Sequence, residues 1–332
     1  MPRAQSNSLQ RRAVAVAIAT TASLALLVLV DPAGAAALSA QAEQVASTAM
    51  APWKAAVLGL VEGLTEYLPI SSTGHLLVVS DLLGLGTSEA DVDAANTYAV
   101  AIQFGAIVAV AGLFWRRFRE MLRGLVGRSS AGLHLLVVLA IATAPAAVVG
   151  FVAEDRMEEW LYAPWPIVAA WFVGGLLILA LERAGWIPRK GERAEPDRDP
   201  VLEITPRQAL WIGIAQIAAL WPGVSRSLTT ILGALLVGVG MTAAVEFSFL
   251  VGFVILTGAS LYKIATDGGA LIDQFGVVDP LIGLLFAFVS AVVAIKWMIA
   301  YLERRGLAVF GWYRLAAAGI AAVLIVAGVL ET

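Results

Sequence analysis

Residues 62–75 read Glu62-Gly63-Leu64-Thr65-Glu66-Tyr67-Leu68-Pro69-Ile70-Ser71-Ser72-Thr73-Gly74-His75, and they interrupt an apolar segment that runs over 52–85. A proline followed by hydroxyls and a glycine does not continue a membrane-crossing helix, and each half of the segment is too short to cross the ~30 Å of hydrocarbon alone. Irregular backbone at that depth is tolerated only inside protein or beside a wet cavity, so 52–85 is expected to form a re-entrant helical hairpin. Segment 208–240 has the same design, broken by Pro222-Gly223-Val224-Ser225-Arg226-Ser227.

Composition points the same way. Of 332 residues, 60% are hydrophobic and 14% charged, with a mean hydropathy of +0.84, against about 45–50% and about 25% for soluble domains. Most of the chain therefore faces lipid. With no cysteine, disulfide scaffolds, thiolate metal sites and cysteine nucleophiles are excluded, and two histidines leave little for a His-rich metal site. A net charge of −3, with the basic residues in short loops, argues against nucleic acid and for lipids or small anions as partners.

Six further runs are long enough to cross: roughly 96–114, 131–152, 165–185, 242–265, 279–302 and 312–330. Ahead of them, residues 1–40 carry Arg3, Arg11 and Arg12, an apolar stretch and small residues around Ala33-Gly34-Ala35. That pattern is a signal peptide, or else an N-terminal membrane segment. The expected order is a hairpin from outside, three spans, a hairpin from inside and three spans. This places Arg116, Arg117, Arg119, Arg123 and Arg128, then Arg183, Arg189, Lys190, Arg193, Arg198 and Arg207, then Arg304, Arg305 and Arg314 in cytoplasmic loops. Outside, Lys54 and Arg156 are the main cations, and Glu154, Asp155, Glu158 and Glu159 form an acidic loop. The asymmetry obeys the positive-inside rule.

A shift of 154 residues lays Gly59 on Gly213, Glu62 on Gln216, Ser71 on Ser225, Ser72 on Arg226 and Thr73 on Ser227. An odd number of crossings separates the copies, so they face opposite ways. The expected fold is thus an all-α polytopic membrane protein, with six transmembrane helices and two re-entrant hairpins in an inverted-topology repeat. Residues 41–185 form the first copy, 186–207 a basic cytoplasmic loop and 208–332 the second copy, with a site near the midplane where the broken helices meet.

Glu62 and Glu66, four apart, share one face of the first half-helix. Intramembrane carboxylates are expensive and are kept where they pair, bind a cation or move a proton, and two oxygen donors on one face suit Mg²⁺ or Ca²⁺. The alternative is a helix end reaching outer water. Ser71, Ser72, Thr73 and His75 bring hydroxyls and an imidazole to the break, where the hydroxyls could equally be helix caps. Arg226, flanked by Ser225 and Ser227 and followed by Thr230 at the start of a half-helix, is built to hold phosphate oxygens, or to neutralise Glu62 or Glu66. Glu246 is a weaker candidate that could simply cap a span, and His134, at a helix start, is given no role.

At these residues a resemblance becomes specific. Glu62 to His75 resembles the acidic E-x-x-x-E motif of the bacitracin-resistance family of undecaprenyl-diphosphate phosphatases, and Pro222-Gly223-Val224-Ser225-Arg226-Ser227 resembles its P-G-x-S-R-S motif. The likeness runs over about 52–330 and includes Phe114-Trp115-Arg116-Arg117 and Glu246-Phe247-Ser248-Phe249-Leu250. It departs at Leu228-Thr229-Thr230, where the family often has Gly-Ala-Thr.

The resemblance implies an integral-membrane hydrolase of the cell membrane that converts undecaprenyl diphosphate to undecaprenyl phosphate and inorganic phosphate. Such an enzyme recycles the lipid carrier for peptidoglycan synthesis and confers bacitracin resistance. Glu62, Glu66, Ser72, His75 and Arg226 match catalytic positions, with Ser71, Thr73, Ser225, Ser227 and Thr230 toward phosphate and Glu62 with Glu66 toward a divalent cation. The site would face the extracytoplasmic side, and a homodimer is compatible with it. The nucleophile is open between Ser72 activated by His75, His75 itself and a metal-held water. A secondary transporter or lipid flippase using the same midplane anion site is the competing class.

Overall fold

Short helices end where the sequence breaks. In the computed structural model, which describes residues 50–85, 89–187, 199–302 and 304–330, helix α1 (Pro52–Thr65) stops before the Pro69 turn, and α2 (Ser72–Leu82) starts after it. Fourteen and eleven residues rise about 21 and 16 Å, short of the hydrocarbon thickness. The second hairpin repeats the design with α7 (Pro206–Gln216), a 3₁₀ turn over Ile217–Leu220, and α8 (Arg226–Leu236).

Between and after the hairpins run α3 (Glu89–Leu113), α4 (Trp115–Leu125), α5 (Ser130–Leu161), α6 (Pro164–Arg183), α9 (Met241–Phe275), α10 (Val278–Leu302) and α11 (Ala308–Val326). Five of these helices are long and apolar enough to cross a membrane, and a sixth span is counted if α3 and α4, bent by 81°, are taken together. Each of the six runs expected from hydropathy overlaps one of these helices over most of its length, and no strand occurs among the described residues. The chain is a multi-pass membrane protein.

Two expectations need correction. Residues 154–159 do not form a loop but continue α5 to Leu161, because no glycine or proline interrupts them. Arg314 is not a loop cation: it lies in the second turn of α11 and is completely buried. The proposed leader, residues 1–40, lies outside the described residues, as does the 188–198 half of the basic 186–207 segment.

The hairpins are closed at their bases and seated by glycines. Lys54 Nζ donates to the Leu83 carbonyl at 2.6 Å, and Gln208 Nε2 donates to the Val237 carbonyl at 3.1 Å; donors and acceptors are each 154 apart. A Cβ on Gly59 would sit 2.2 Å from the Gly283 carbonyl oxygen of α10, one on Gly63 2.1 Å from that of Ala287, and one on Gly213 2.6 Å from that of Ala142 of α5. These contacts bring backbone against backbone, the close approach by which small residues join helices where lipid offers no hydrophobic drive.

Helix α4 turns its basic residues Arg116, Arg119 and Arg123 outward and buries Met121 and Gly124. Arg117 points inward instead. Its Nε lies 2.6 Å from Glu246 on α9, and its two terminal nitrogens hold both oxygens of Asp199. Glu246 therefore serves an ion-pair cluster remote from the hairpin breaks. Beside it, His134 Nε2 contacts the Ile204 carbonyl at 2.9 Å. Burial pushes the Asp199 carboxyl up, but the bonds and charge of Arg117 outweigh it and hold the group below the usual carboxylate range.

Gly63→Leu should destabilise the protein by at least about 2 kcal/mol, since backbone atoms cannot yield to the added side chain; a melting temperature in detergent equal to wild type would contradict the close packing. For Asp199, a depressed folded-state pKa means that stability is present above its unfolded value near 4 and is lost as pH falls through the folded value. Asp199→Asn should therefore melt lower than wild type at pH 7, with the gap narrowing as pH falls below about 4.

Candidate active site

The two breaks meet around a cavity of about 300 Å³, lined among others by Glu66, Ser71, Ser72, Thr73, Ser225 and Arg226. Ser71 (φ 75°) and Ser225 (φ 78°) are the non-glycine residues with positive φ among those described. Such a conformation is costly for a residue with a Cβ, about 1–3 kcal/mol, and persists only where the surroundings enforce it. Each serine caps the helix it precedes: Ser71 Oγ accepts from the Gly74 N–H at 3.5 Å and Ser225 Oγ from the Leu228 N–H at 3.3 Å. Two helix N-termini, with their unpaired N–H groups and positive dipole ends, thus start at the cavity wall.

Glu66 is the hub. One carboxylate oxygen accepts from Ser72 Oγ, and the other pairs with an Arg226 terminal nitrogen. The Gln103 amide lies 3.5 Å from the first of these oxygens. Arg226 also donates to the Gly252 carbonyl at 3.3 Å, and its buried Nε has no partner. Ser227 Oγ donates to the Glu66 carbonyl at 3.2 Å, while Thr230 Oγ1 donates to the Arg226 carbonyl at 2.8 Å. Ser227 and Thr230 therefore brace the backbone of the two key residues and do not line the cavity. Leu228 packs into the core at 1% exposure, so the departure from Gly-Ala-Thr leaves the start of α8 intact.

Two expected members stand apart. His75 Nδ1 lies 2.6 Å from the Ser71 carbonyl, which can only accept, so Nδ1 carries the proton. Nε2 is 2.7 Å from the Tyr313 hydroxyl, and the ring stacks on Tyr313 and tilts against Trp171. His75 is absent from the cavity lining, and its two ring nitrogens are engaged away from Ser72. Glu62 is completely buried and is not in the cavity lining either. Neither of its oxygens has a hydrogen-bond partner. No cluster of three or more His, Cys, Asp or Glu side chains exists among the described residues, so any cation here would rest on Glu62 and Glu66 with ligands from substrate or water.

Four residues escaped the sequence reading. Gln103 and Gln216 line the cavity, and Tyr313 meets His75. Arg314 donates to the carbonyls of Pro69, Ala170, Gly223 and Val224 at 3.4, 2.8, 2.9 and 3.2 Å, so one guanidinium ties the tips of both hairpins to α6. Gly174 makes room for it, since a Cβ there would lie 2.3 Å from Arg314 Nη2. The 154-residue match of Glu62 to Gln216 was the available signal for Gln216, and for Arg314 the signal was its place inside the apolar run 312–330, unlike Arg304 and Arg305.

The family described as bacitracin resistance protein BacA matches residues 55–320. Over 265 residues, 79% of this chain, a protein of Sorangium cellulosum named undecaprenyl-diphosphatase is 42% identical, with 82% of its own length covered. Proteins named undecaprenyl-diphosphatase 1 from Burkholderia lata and Burkholderia cenocepacia are 43% and 42% identical, each with 91% of its length covered.

Arg314→Met should leave four buried carbonyls without their donor and lower stability by at least about 2 kcal/mol. Arg314→Lys, which keeps the charge but not the forked geometry, should recover only part of that. Unchanged melting of the Met variant would remove Arg314 from its bracing position.

Proposed function

Since this chain belongs to the bacitracin resistance protein BacA family, we propose that it is an undecaprenyl-diphosphatase, releasing inorganic phosphate from undecaprenyl diphosphate and leaving undecaprenyl phosphate for reuse in peptidoglycan synthesis. Bacitracin resistance follows, because faster recycling shortens the life of the diphosphate. The observation that carries the mechanism is the chain from Ser72 through Glu66 to Arg226 on the cavity wall.

Arg226 and the N-termini of α2 and α8 would receive the terminal phosphate. Its unpartnered Nε is available from the start, and the nitrogen now on Glu66 becomes available as phosphate displaces that pair. Ser72 Oγ then attacks the terminal phosphorus while its proton passes to Glu66. The bond from that phosphorus to the bridging oxygen breaks, and the bridging oxygen leaves on undecaprenyl phosphate. Glu66 gives up its proton to the departing side and accepts another from an attacking water, whose oxygen bonds the phosphorus as the bond to Ser72 Oγ breaks; that proton then returns to Ser72 Oγ, freeing phosphate and restoring the Glu66 carboxylate. Arg226 offsets the charge that develops on the transferred group. His75, held by Ser71 and Tyr313, would position the Ser71-Ser72 backbone and is not the base.

Glu62, with two buried oxygens lacking partners, and Glu66 offer the hard oxygen donors that suit Mg²⁺ or Ca²⁺, which when bound would supply positive charge to the diphosphate. The cavity is walled by Ala146, Ala147 and Gly150, in the half of α5 away from Arg128, and the Trp221 indole bonds the Pro166 carbonyl near the start of α6. With the arginines of α4 in the cytoplasm, this opening faces the extracytoplasmic side of the cell membrane. The matched hairpins are two copies of one unit inserted in opposite senses. A transporter would share that architecture but would leave the Ser72–Glu66 bond without a task.

Purified protein should release phosphate from farnesyl or undecaprenyl diphosphate, lose the activity in EDTA and regain it with Mg²⁺ or Ca²⁺. Glu66→Gln, Ser72→Ala and Arg226→Ala should each fall at least ~100-fold, about 2.7 kcal/mol of barrier, whereas His75→Gln should keep more than about a tenth. Quenching turnover of terminally ³²P-labelled substrate should leave label on Ser72. Active enzyme without label would replace serine by water as the nucleophile, and no release at all would sink the hydrolase reading.

A further inference from the structure

We infer that Gln216 is a phosphate-contacting residue of this site, its carboxamide donating to the diphosphate; the inference rests on the hydrolase reading above. Gln216 is 2% exposed, and neither its Nε2 nor its Oε1 has a hydrogen-bond partner. A buried, unpaired amide is destabilising, and leucine would fill the same space without that penalty. The side chain forms part of the wall of the cavity that also holds Glu66, Ser72 and Arg226. Gln103, the other amide there, differs in that it is already directed at Glu66.

Placement supports the contact. Gln216 is the last residue of α7, at the point where the helix tightens into the 3₁₀ turn that leads to the second break. One turn earlier Gly213 sets α7 against the backbone of α5, so the amide is held on a fixed element and needs no loop to order. Its counterpart 154 residues earlier is Glu62, also buried and unpartnered. The two copies thus put an acid at one matched position and a neutral amide at the other. A second carboxylate would repel a polyanion, whereas an amide offers N–H donors to phosphate oxygens and an oxygen that accepts from a protonated phosphate or a water.

The test compares the full-length wild type in detergent with Gln216→Leu, which keeps the bulk, and Gln216→Glu, which keeps the shape and adds charge. Three quantities are read: the steady-state constants on farnesyl diphosphate, inhibition by inorganic phosphate, and calorimetric binding of pyrophosphate. Gln216→Leu should melt no lower than wild type, raise KM and the phosphate inhibition constant about tenfold (~1.4 kcal/mol), and change kcat less than threefold. Gln216→Glu should raise KM further. Wild-type KM and phosphate inhibition in both variants would overturn the inference while leaving the hydrolase intact, as would a lower melting point with a loss confined to kcat. If wild type hydrolyses no prenyl diphosphate but Gln216→Leu still binds pyrophosphate tenfold more weakly, the anion contact stands and the hydrolase reading falls.

Discussion

Breaking two helices inside an apolar environment frees backbone carbonyls from their helical partners, and the rest of this structure depends on how they are satisfied. Arg314 does it with one side chain, donating to carbonyls at the first break, the second break and α6. Its own charge has no carboxylate beside it in those contacts, so the carbonyl dipoles stand in for a counter-ion. The residue is completely buried, and Gly174 leaves the gap it passes through. The clamp helps to hold the two breaks face to face, together with the bonds from Arg226 and Ser227 to Glu66.

On that frame Glu66 connects three elements. Its carboxylate joins Ser72 on α2 to Arg226 on α8, and its backbone carbonyl receives Ser227. Because the acid belongs to one hairpin and the arginine to the other, the charges neutralise each other only when both hairpins are seated. Seating depends in turn on Gly59, Gly63 and Gly213, whose missing side chains let α1 and α7 reach the long helices. Small residues outside the cavity lining therefore help to set its geometry.

Much of this was legible in the sequence, for identifiable reasons. Proline, glycine and hydroxyl runs cannot continue a helix, so Pro69 and Pro222 marked the breaks, and hydropathy located the long helices, although α3, α5 and α9 run seven to ten residues past the apolar runs. Glu66 and Arg226 stood out because ionisable residues among apolar ones demand an explanation, and Ser72 because it is a hydroxyl at the break beside them. What escaped were matters of direction and distance. Arg314 was grouped with loop cations, since position within a helix end says nothing of whether a side chain turns inward. His75 lies three residues beyond Ser72 and was expected to act with it, but its ring nitrogens are taken by the Ser71 carbonyl and Tyr313. Acidic residues 154–159 suggested a loop by composition, although nothing in them stops a helix. Ser71 could be seen as a cap, but neither it nor Ser225 as a residue held at positive φ.

The pairing of Glu66 with Arg226 also gives the cavity the character of an ion exchanger. At rest the fixed cation carries its own tethered anion, so the wall is locally neutral and an incoming anion must outcompete a carboxylate already in place. A chloride or acetate offers the guanidinium no more than Glu66 does and gains little by entering. A group with several negative oxygens can hold the arginine and two helix N-termini together, which one carboxylate cannot reach. Discrimination against the abundant monovalent anions of the surroundings is thereby built in before any catalytic group acts.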